Sequence, residues 1–375
     1  MTPHPIIAPP IIAVIGLGTM GLGIAQLFAG SGFTVLATDA HAPTQGSAIP
    51  RLTAALNARV TLGKLTAHAR DKTLANLRIT PLETLAPATL AIEAIIESLP
   101  AKQALLAQLE TILSPEAILA TNTSSLSVTQ IAARARHPGR VLGLHFFNPA
   151  PLMKLVELIP HATTSTQALA LARHLTEATG KTVITCPDRP GFIVNRCARP
   201  YYGEALALLE EGHDPRKIDA AMQAEGYRLG PFALIDLIGA DINLAATEGL
   251  YAAMQNHPRY YPFNALKAQV ASGNLGHKTG HGFLAAPTTA QPNPAIALRI
   301  AATLINEAAW LHAEGPSEPE IDTAVTLGLN FPHGPFAALH RIGKPRIVAQ
   351  LNALDASAPP HLKTRYRAAP LLESP

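Results

Sequence analysis

IIAVIGLGTMGLGIAQLFAGSGFTVLATD, residues 11–39, is the stretch of the chain that decides its fold. The apolar run at 11–15 predicts a strand that is buried on both faces. Residues 19–30 predict a helix, and residues 33–38 predict a second strand that ends at Asp39. A strand, a glycine-rich turn, a helix and a strand in this order predict the start of a doubly wound α/β domain.

The glycine-rich turn is a GxGxxG motif made of Gly16, Gly18 and Gly21. The first glycine permits the tight turn, the second lets the backbone approach a pyrophosphate, and the third allows close packing of helix on strand. Asp39 would accept hydrogen bonds from ribose hydroxyls and repel a 2′-phosphate. The motif therefore predicts a Rossmann-type dinucleotide site that prefers NAD to NADP. The alternatives are a turn without a ligand and an acid that only closes a strand.

The remaining chain divides into two parts of different character. Up to residue 185, strands are predicted at 89–96, 117–120, 141–144, 154–159 and 182–185, and helices at 47–77 (a pair, with Gly63 and the Thr66 cap between them), 100–113, 126–135 and 166–179. After CPDRP at 186–190, residues 191–212, 215–225 and 230–256 predict helices. We expect an NAD-binding Rossmann domain at 1–188, a helical domain at 189–290 and a second, degenerate helical domain at 291–375.

An internal repeat supports the second helical domain. EALALLEEGHDPRKID at 204–219 matches EAAWLHAEGPSEPEID at 307–322 at a shift of 103 residues, and GPFAL at 230–234 matches GPFAA at 334–338 at a shift of 104. A helical unit that occurs twice explains this spacing. The predicted fold class is therefore a Rossmann-type α/β domain followed by an all-α region in which one helical unit is present twice.

Composition excludes several classes of protein. The chain is 48% apolar and 15% charged with a formal net charge of +3, which is too mild for a nucleic-acid partner but suits a small anionic substrate. The two cysteines cannot form a disulfide framework, so reduced thiols in a cytoplasmic protein are expected. No apolar run is long enough for a membrane span, the N-terminus does not resemble a signal peptide, and no motif calls for a metal.

Two segments carry candidate catalytic residues. His145 follows a predicted strand, and Glu157 lies twelve residues later in the next one. A carboxylate paired with the histidine would fix its tautomer and stabilise the imidazolium. From spacing alone, a buried structural histidine is at least as probable as a base. The polar run NTSS at 122–125 follows a strand, where open α/β sheets bind ligands, but it could equally cap the next helix.

Asn195 lies in the apolar run GFIVNR, at the start of the first helix after the predicted boundary. An asparagine among apolar neighbours needs a hydrogen-bond partner. A bound substrate and a neighbouring helix are both possible partners.

Taken together, the motifs resemble one family. The glycine motif, AIIESLPAKQ (94–103), TNTSSL (121–126), LHFFNPAPLMKLVE (144–157), PGFIVNR (190–196), GPFALIDLIGAD (230–241) and GHKTGHGF (276–283) occur in this order. The chain resembles the 3-hydroxyacyl-CoA dehydrogenase family, of the 3-hydroxybutyryl-CoA dehydrogenase type. The resemblance covers about residues 11–285 and, more weakly, 294–345.

The resemblance implies an activity and roles for particular residues. The activity is the reversible, NAD-dependent oxidation of a short L-3-hydroxyacyl-CoA to the 3-oxoacyl-CoA. By resemblance, His145 is the general base, Glu157 pairs with it, and Ser124 and Asn195 hydrogen-bond the reacting oxygen. The residues expected at the cofactor are Gly16, Gly18, Thr19, Met20, Gly21, Asp39, Glu97, Lys102, Asn122, Ser124, Asn148 and Lys278.

The resemblance leaves other features less defined. It places the helix pair at 47–77 beside CoA, with Arg51 and Lys64 as candidate contacts. The second helical copy has Leu298 where the first has Asn195, so it is expected to lack a catalytic role. Tyr201-Tyr202 and the segment LAAPTTA after GHGF are unusual choices that could alter the acyl preference.

Alternatives remain for the assembly and the activity. A homodimer is expected, although the repeat makes a monomer conceivable. A dehydrogenase of a free 3-hydroxy acid (the L-gulonate or carnitine 3-dehydrogenase type) and a non-catalytic, crystallin-like relative are the alternative functions.

Overall fold

The computed structural model describes residues 9–284 and 290–373, so most of the LAAPTTA segment lies outside the described residues. The chain forms two compact units, Met1–Asp188 and Arg189–Pro375, and the division falls inside the CPDRP segment. In the described part of the chain, no helix has both the length and the hydropathy to cross a membrane.

The first unit is built on an eight-stranded sheet with the strand order β3-β2-β1-β4-β5-β6-β7-β8. All neighbouring strands are parallel except β6 and β7, which are antiparallel. The strands are β1 Ile11–Ile15, β2 Thr34–Thr38, β3 Leu77–Ile79, β4 Leu90–Glu93, β5 Ile118–Thr121, β6 Val141–Phe146, β7 Leu155–Ile159 and β8 Thr182–Thr185. All seven predicted strands are present, but β4 ends at Glu93 instead of residue 96, and β6 continues to Phe146, so that His145 lies inside it. The edge strand β3 was missed because three residues are too few for a period-2 pattern.

Helices cover both faces of this sheet. They are α1 Thr19–Gly30, α2 Ala42–Thr61, α3 Ala67–Ala75, α4 Leu99–Ile112, α5 Val128–Ala132 and α6 Thr166–Glu177. Alternate residues of β1 enter two different cores: Ile12 packs in one with Phe28 of α1, and Ala13 packs in the other with Leu106 of α4. This confirms that β1 is buried on both faces.

Two helix starts in this unit bear on the sequence predictions. Thr66 caps α3 through its side chain, as predicted. Helix α5 is shorter than the predicted 126–135, because Ser127 forms its N-cap and accepts a hydrogen bond from the amide of Gln130.

The second unit is helical. Its helices are α7 Val194–Glu210, α8 Pro215–Ala224, α9 Pro231–Ile238, α10 Ala240–Ala253, α11 Asn264–Ala271, α12 Pro294–His312, α13 Glu318–Leu329, α14 Pro335–Ile342, α15 Lys344–Ser357 and α16 Pro370–Glu373. The prediction of continuous helix over 230–256 was wrong. The chain breaks between α9 and α10 at Gly239, whose φ of +109° lies outside the helical region.

The predicted repeat is visible in local contacts. Asp219 of α8 accepts hydrogen bonds from the amides of Phe232 and Ala233 at the start of α9. Asp322 of α13 does the same for the two amides that begin α14. In each copy, one aspartate therefore satisfies the amides of a helix start that would otherwise lack partners.

The two copies exchange ion pairs with each other. Arg196 of the first copy contacts Glu307 of the second at 2.6 Å, and Arg299 of the second contacts Glu204 of the first at 2.7 Å. Each of these residues lies at a shift of 103 from its counterpart. This is the reciprocal pattern of a two-fold interface, here formed within one chain.

Candidate active site

The predicted histidine–carboxylate pair is formed across the antiparallel strands β6 and β7. His145 lies directly opposite Glu157 in the strand register. Its Nδ1 is 2.7 Å from Oε2 of Glu157, and the two side chains are 7% and 0% exposed. A buried carboxylate on Nδ1 fixes the ring orientation and directs proton exchange with any substrate to Nε2.

Glu97 organises the polar segment that follows β5. Its Oε1 accepts hydrogen bonds from Thr123 Oγ1 at 2.7 Å and from the amides of Ser124 at 2.9 Å and Ser125 at 3.0 Å. Burial alone would raise the pKa of Glu97, but these bonds and the charge of Lys102 hold it below its usual value. Glu97 is therefore an anion that fixes the backbone of this segment.

The alternative role predicted for residues 122–125 was to cap the next helix, but a different residue forms that cap. Ser127 caps α5, and the carboxylate of Asp188 accepts hydrogen bonds from the amides of Val128 and Thr129. Ser124 lies before this cap with an exposed side chain. The run 122–125 is therefore not needed to start the helix, and it lies just beyond the carboxyl end of β5, where such sheets bind ligands.

Lys102 lies beneath Glu97 as a buried cation. Its Nζ is 2.9 Å from both carboxylate oxygens of Glu93 and 3.4 Å from Glu97, and its side chain is 1% exposed. Burial raises the pKa of Glu93, against the opposing charge of Lys102. Glu93 was not among the predicted site residues. The available signal was an acid at the end of the apolar run LAIE, a position that requires a buried partner.

The glycine turn fits a dinucleotide. Gly16 has φ +92°, and a Cβ placed on it would lie 2.6 Å from the carbonyl oxygen of Ala94. A Cβ on Gly21 would collide with the carbonyl oxygen of Gly16, whereas one on Gly18 would meet nothing within 4 Å. The backbone at Gly18 is therefore open to a diphosphate. Helix α1 begins there without a side-chain cap, so its first amides suit an anion.

Asp39, which was predicted to bind the adenosine ribose, lies beside the glycine turn. Its carboxylate accepts hydrogen bonds from the amide of Leu17 at 2.6 Å and from the amide of His41 at 2.8 Å. These bonds hold the carboxylate against the glycine turn and leave acceptor capacity for ribose hydroxyls, since a carboxylate accepts about four hydrogen bonds.

Thr19 and Met20 form the first turn of α1, and three further predicted cofactor residues have different surroundings. The side-chain oxygen of Asn122 accepts a hydrogen bond from the amide of Phe146 at 2.8 Å and so ties the end of β5 to β6. Asn148 is exposed. Lys278, in the second unit, pairs with Asp241 at 2.5 Å. For all three, contact with the cofactor stays a prediction.

A cleft of about 340 Å³ lies in the first unit between α1, α2 and the segment after β6. Two arginines of α2 line it, Arg51 and Arg59, together with Asn148. Arg51 donates to the carbonyl oxygen of Leu17. The sequence-based guess of Arg51 lies in this cleft, Lys64 is not among its lining residues, and Arg59 was missed although it lies eight residues from Arg51 on the same helix.

Asn195 lies in the first turn of α7, in the second unit. The residue is partly buried. Its main-chain carbonyl oxygen accepts a hydrogen bond from Nε of Arg199 at 3.3 Å. Leu298, its counterpart in the repeat, lies in α12 and offers no polar group.

Comparisons with known proteins assign both units to one family. Residues 11–189 match the family model "3-hydroxyacyl-CoA dehydrogenase, NAD binding domain". Residues 191–286 and again 296–374 match "3-hydroxyacyl-CoA dehydrogenase, C-terminal domain", so the repeat consists of two copies of one domain type.

Individual relatives point the same way. The chain is 44% identical over 274 residues to 3-hydroxyadipyl-CoA dehydrogenase of Escherichia coli K12, a match that covers 72% of this chain and 58% of that protein. It is 36% identical over 282 residues to human mitochondrial hydroxyacyl-coenzyme A dehydrogenase, with 72% and 90% covered. A crystal structure of 3-hydroxybutyryl-CoA dehydrogenase from Escherichia coli K12 superimposes with a TM-score of 0.91 at 35% identity, covering 98% of each chain.

Proposed function

Because the chain belongs to the 3-hydroxyacyl-CoA dehydrogenase family, we propose that it oxidises the 3-hydroxyl of a short L-3-hydroxyacyl-CoA with NAD, reversibly. The observation that carries this proposal is the buried pair of His145 and Glu157, which has the geometry of a general base held by a carboxylate.

Each residue of the pair has one task. Nε2 of His145 takes the proton of the 3-hydroxyl while C3 loses a hydride, and it returns the proton in the reverse reaction. Glu157 stabilises the imidazolium that forms. Ser124 and Asn195 hydrogen-bond the reacting oxygen. NAD, when bound, supplies the acceptor for the hydride.

The cofactor would lie along the carboxyl ends of the strands in the first unit. Gly16, Gly18 and Gly21, with the first turn of α1 at Thr19 and Met20, would hold the diphosphate. Asp39 would bind the adenosine ribose. Glu97 and Lys102 would act near the nicotinamide, with Glu97 also fixing the backbone of Ser124.

The cleft beside α2 is the part of the first unit best suited to CoA. CoA carries several phosphate charges, and Arg51 and Arg59 bring two guanidinium groups to one cleft. If CoA binds there, the KM for the acyl-CoA should rise with salt concentration, and this salt dependence should be lost in Arg59→Ala. A KM that changes neither with salt nor with the substitution would contradict this location.

A substrate panel tests the proposed activity. NADH oxidation is followed with acetoacetyl-CoA and, in parallel, with free acetoacetate. Turnover of the thioester alone supports the proposal. Comparable turnover of the free acid would favour a free 3-hydroxy acid dehydrogenase, and NADH binding without turnover would favour a non-catalytic relative. The name of the E. coli relative adds acyl chains that end in a carboxylate to the panel.

We also propose a homodimer. Light scattering that gives about twice the chain mass of 39.5 kDa would support it. A mass of one chain would favour the monomer that the internal repeat permits.

A further inference from the structure

Arg199 lies on α7, one turn after Asn195, and is partly buried. Its Nη1 donates to Thr247 Oγ1 at 3.1 Å and lies 3.5 Å from the carbonyl oxygen of Asn243. Its guanidinium carbon lies 5.0 Å from the ring centre of Tyr202. These contacts hold the guanidinium with neutral groups only.

The absence of a carboxylate sets Arg199 apart from comparable arginines. Four other arginines of the second unit are not exposed, and each pairs with a glutamate: Arg196, Arg259, Arg299 and Arg365. Among the residues that the structure describes, Arg199 has no such partner. Burial lowers the pKa of Arg199, against an opposing contribution from Tyr202. A guanidinium removed from water without a counter-ion is unfavourable unless a ligand supplies the charge.

A neighbour of Arg199 also has hydrogen-bonding capacity to spare. Asn243 is 2% exposed, and neither side-chain polar atom has a hydrogen-bond partner within residues 9–284 and 290–373. Buried polar groups are nearly always paired in native proteins, so a cluster that combines an uncompensated cation with unused polar groups indicates a polar, anionic ligand.

We propose that Arg199 binds a carboxylate at the far end of the acyl chain, so that the enzyme prefers 3-hydroxyacyl-CoA substrates whose acyl group is a dicarboxylic acid. This rests on the proposed function, in which Asn195 contacts the 3-oxygen. Nε of Arg199 lies 3.3 Å from the main-chain carbonyl oxygen of Asn195, so the guanidinium is held close to the residue that contacts the 3-oxygen. The three carbon–carbon bonds from C3 to the carboxyl carbon of a six-carbon chain span about 4 Å. A carboxylate at the end of such a chain can therefore reach the guanidinium with a hydrogen bond of about 2.8 Å.

The same contact would discriminate between chains of equal length. A chain that ends in a methyl group would leave the guanidinium without a counter-charge, whereas a carboxylate would satisfy it. Sites built to pair a polar group of the substrate reject analogues that lack it more strongly than apolar pockets discriminate by size.

The test compares two six-carbon substrates, L-3-hydroxyadipyl-CoA and L-3-hydroxyhexanoyl-CoA, which differ only at the chain end. The readout is the ratio of their kcat/KM values, because a partial loss of folded enzyme cancels in this ratio. The wild type is expected to favour the carboxylate. Arg199→Met, which keeps the apolar stem, should reduce the ratio by about 10- to 100-fold, the scale of a charge-assisted hydrogen bond. Arg199→Lys should restore part of it.

Arg346→Met is the matched control, since Arg346 is an exposed arginine of α15. Its ratio should equal that of the wild type. The inference is overturned if the wild type does not prefer the carboxylate, or if Arg199→Met lowers both kcat/KM values equally. Failure of the wild type to turn over acetoacetyl-CoA as well would instead refute the proposed function, so the two failures are distinguishable.

Discussion

Replacing Glu157 by glutamine tests how the His145 pair works. The side chains keep nearly the same shape, and a glutamine oxygen can still accept a hydrogen bond from Nδ1, so the main change is the loss of a buried negative charge 2.7 Å from the ring. A hydrogen bond to a charged group contributes about 1.5–3 kcal/mol and one between neutral groups about 0.5–1.5 kcal/mol, so the exchange removes about 1–1.5 kcal/mol. If this stabilisation acts on the imidazolium in the transition state, kcat should fall by about 5- to 15-fold.

The assay is steady-state kcat in both directions with saturating acyl-CoA and cofactor, together with NADH affinity by fluorescence. NADH affinity should be retained, because the pair lies apart from the glycine turn. Glu177→Gln is the control: Glu177 pairs with Arg173 on the surface of α6, where an ion pair is worth little, so kcat should stay within about twofold. A Glu157→Gln enzyme with wild-type kcat would refute the role given to the carboxylate.

Three further perturbations follow from the first unit. Asp39→Ala should raise the KM for NAD and improve relative use of NADP, because the charge that opposes a 2′-phosphate is lost; unchanged kcat/KM values for both cofactors would contradict this. Gly16→Ala should lower thermal stability and NADH affinity, since φ +92° and the Ala94 carbonyl oxygen exclude a Cβ, whereas Gly46→Ala in α2, where a Cβ meets nothing within 4 Å, should not. Burial lowers the pKa of Lys181 to about 8, so the unfolded chain binds more protons above that pH. The unfolding free energy of the wild type should therefore rise relative to Lys181→Met between about pH 8 and 10.5 in denaturant titrations, and parallel curves would contradict the reasoning.

Much of the first unit could be predicted from sequence because its signals are local. The glycine turn, the buried β1 and the acid at Asp39 lie within one stretch, and each has a direct backbone reason. The element β3 and the exact start of α5 could not be predicted. Their placement depends on pairing with β2 and on the capping of Ser127, which sequence periodicity does not report.

The candidate site shows the same limit. The spacing of His145 and Glu157 left a structural histidine and a base equally open, and only the register of β6 with β7 brings the two side chains together. Glu93 was missed because its partner Lys102 approaches from a helix, nine residues along the chain. A buried acid in the sequence implies that a partner exists, because an unpaired buried charge is costly. Which residue is that partner depends on the tertiary structure.

The helical unit was predicted as a repeat, yet its reciprocal ion pairs were not. The shift of 103 residues indicates that Arg299 corresponds to Arg196, but it does not indicate that each binds a glutamate of the other copy. Likewise, an arginine in the sequence ARPYY gives no sign of lacking a counter-ion, so the sequence alone does not identify Arg199 as a binding residue.

The central claim is that His145 exchanges the proton of the 3-hydroxyl, and the turnover of His145→Gln with acetoacetyl-CoA and NADH tests it most directly. Because general acid–base catalysis supplies about 100-fold or more, we expect kcat to fall at least ~100-fold while NADH affinity is unchanged. An enzyme that binds NADH normally and reduces acetoacetyl-CoA at the wild-type rate would contradict the claim.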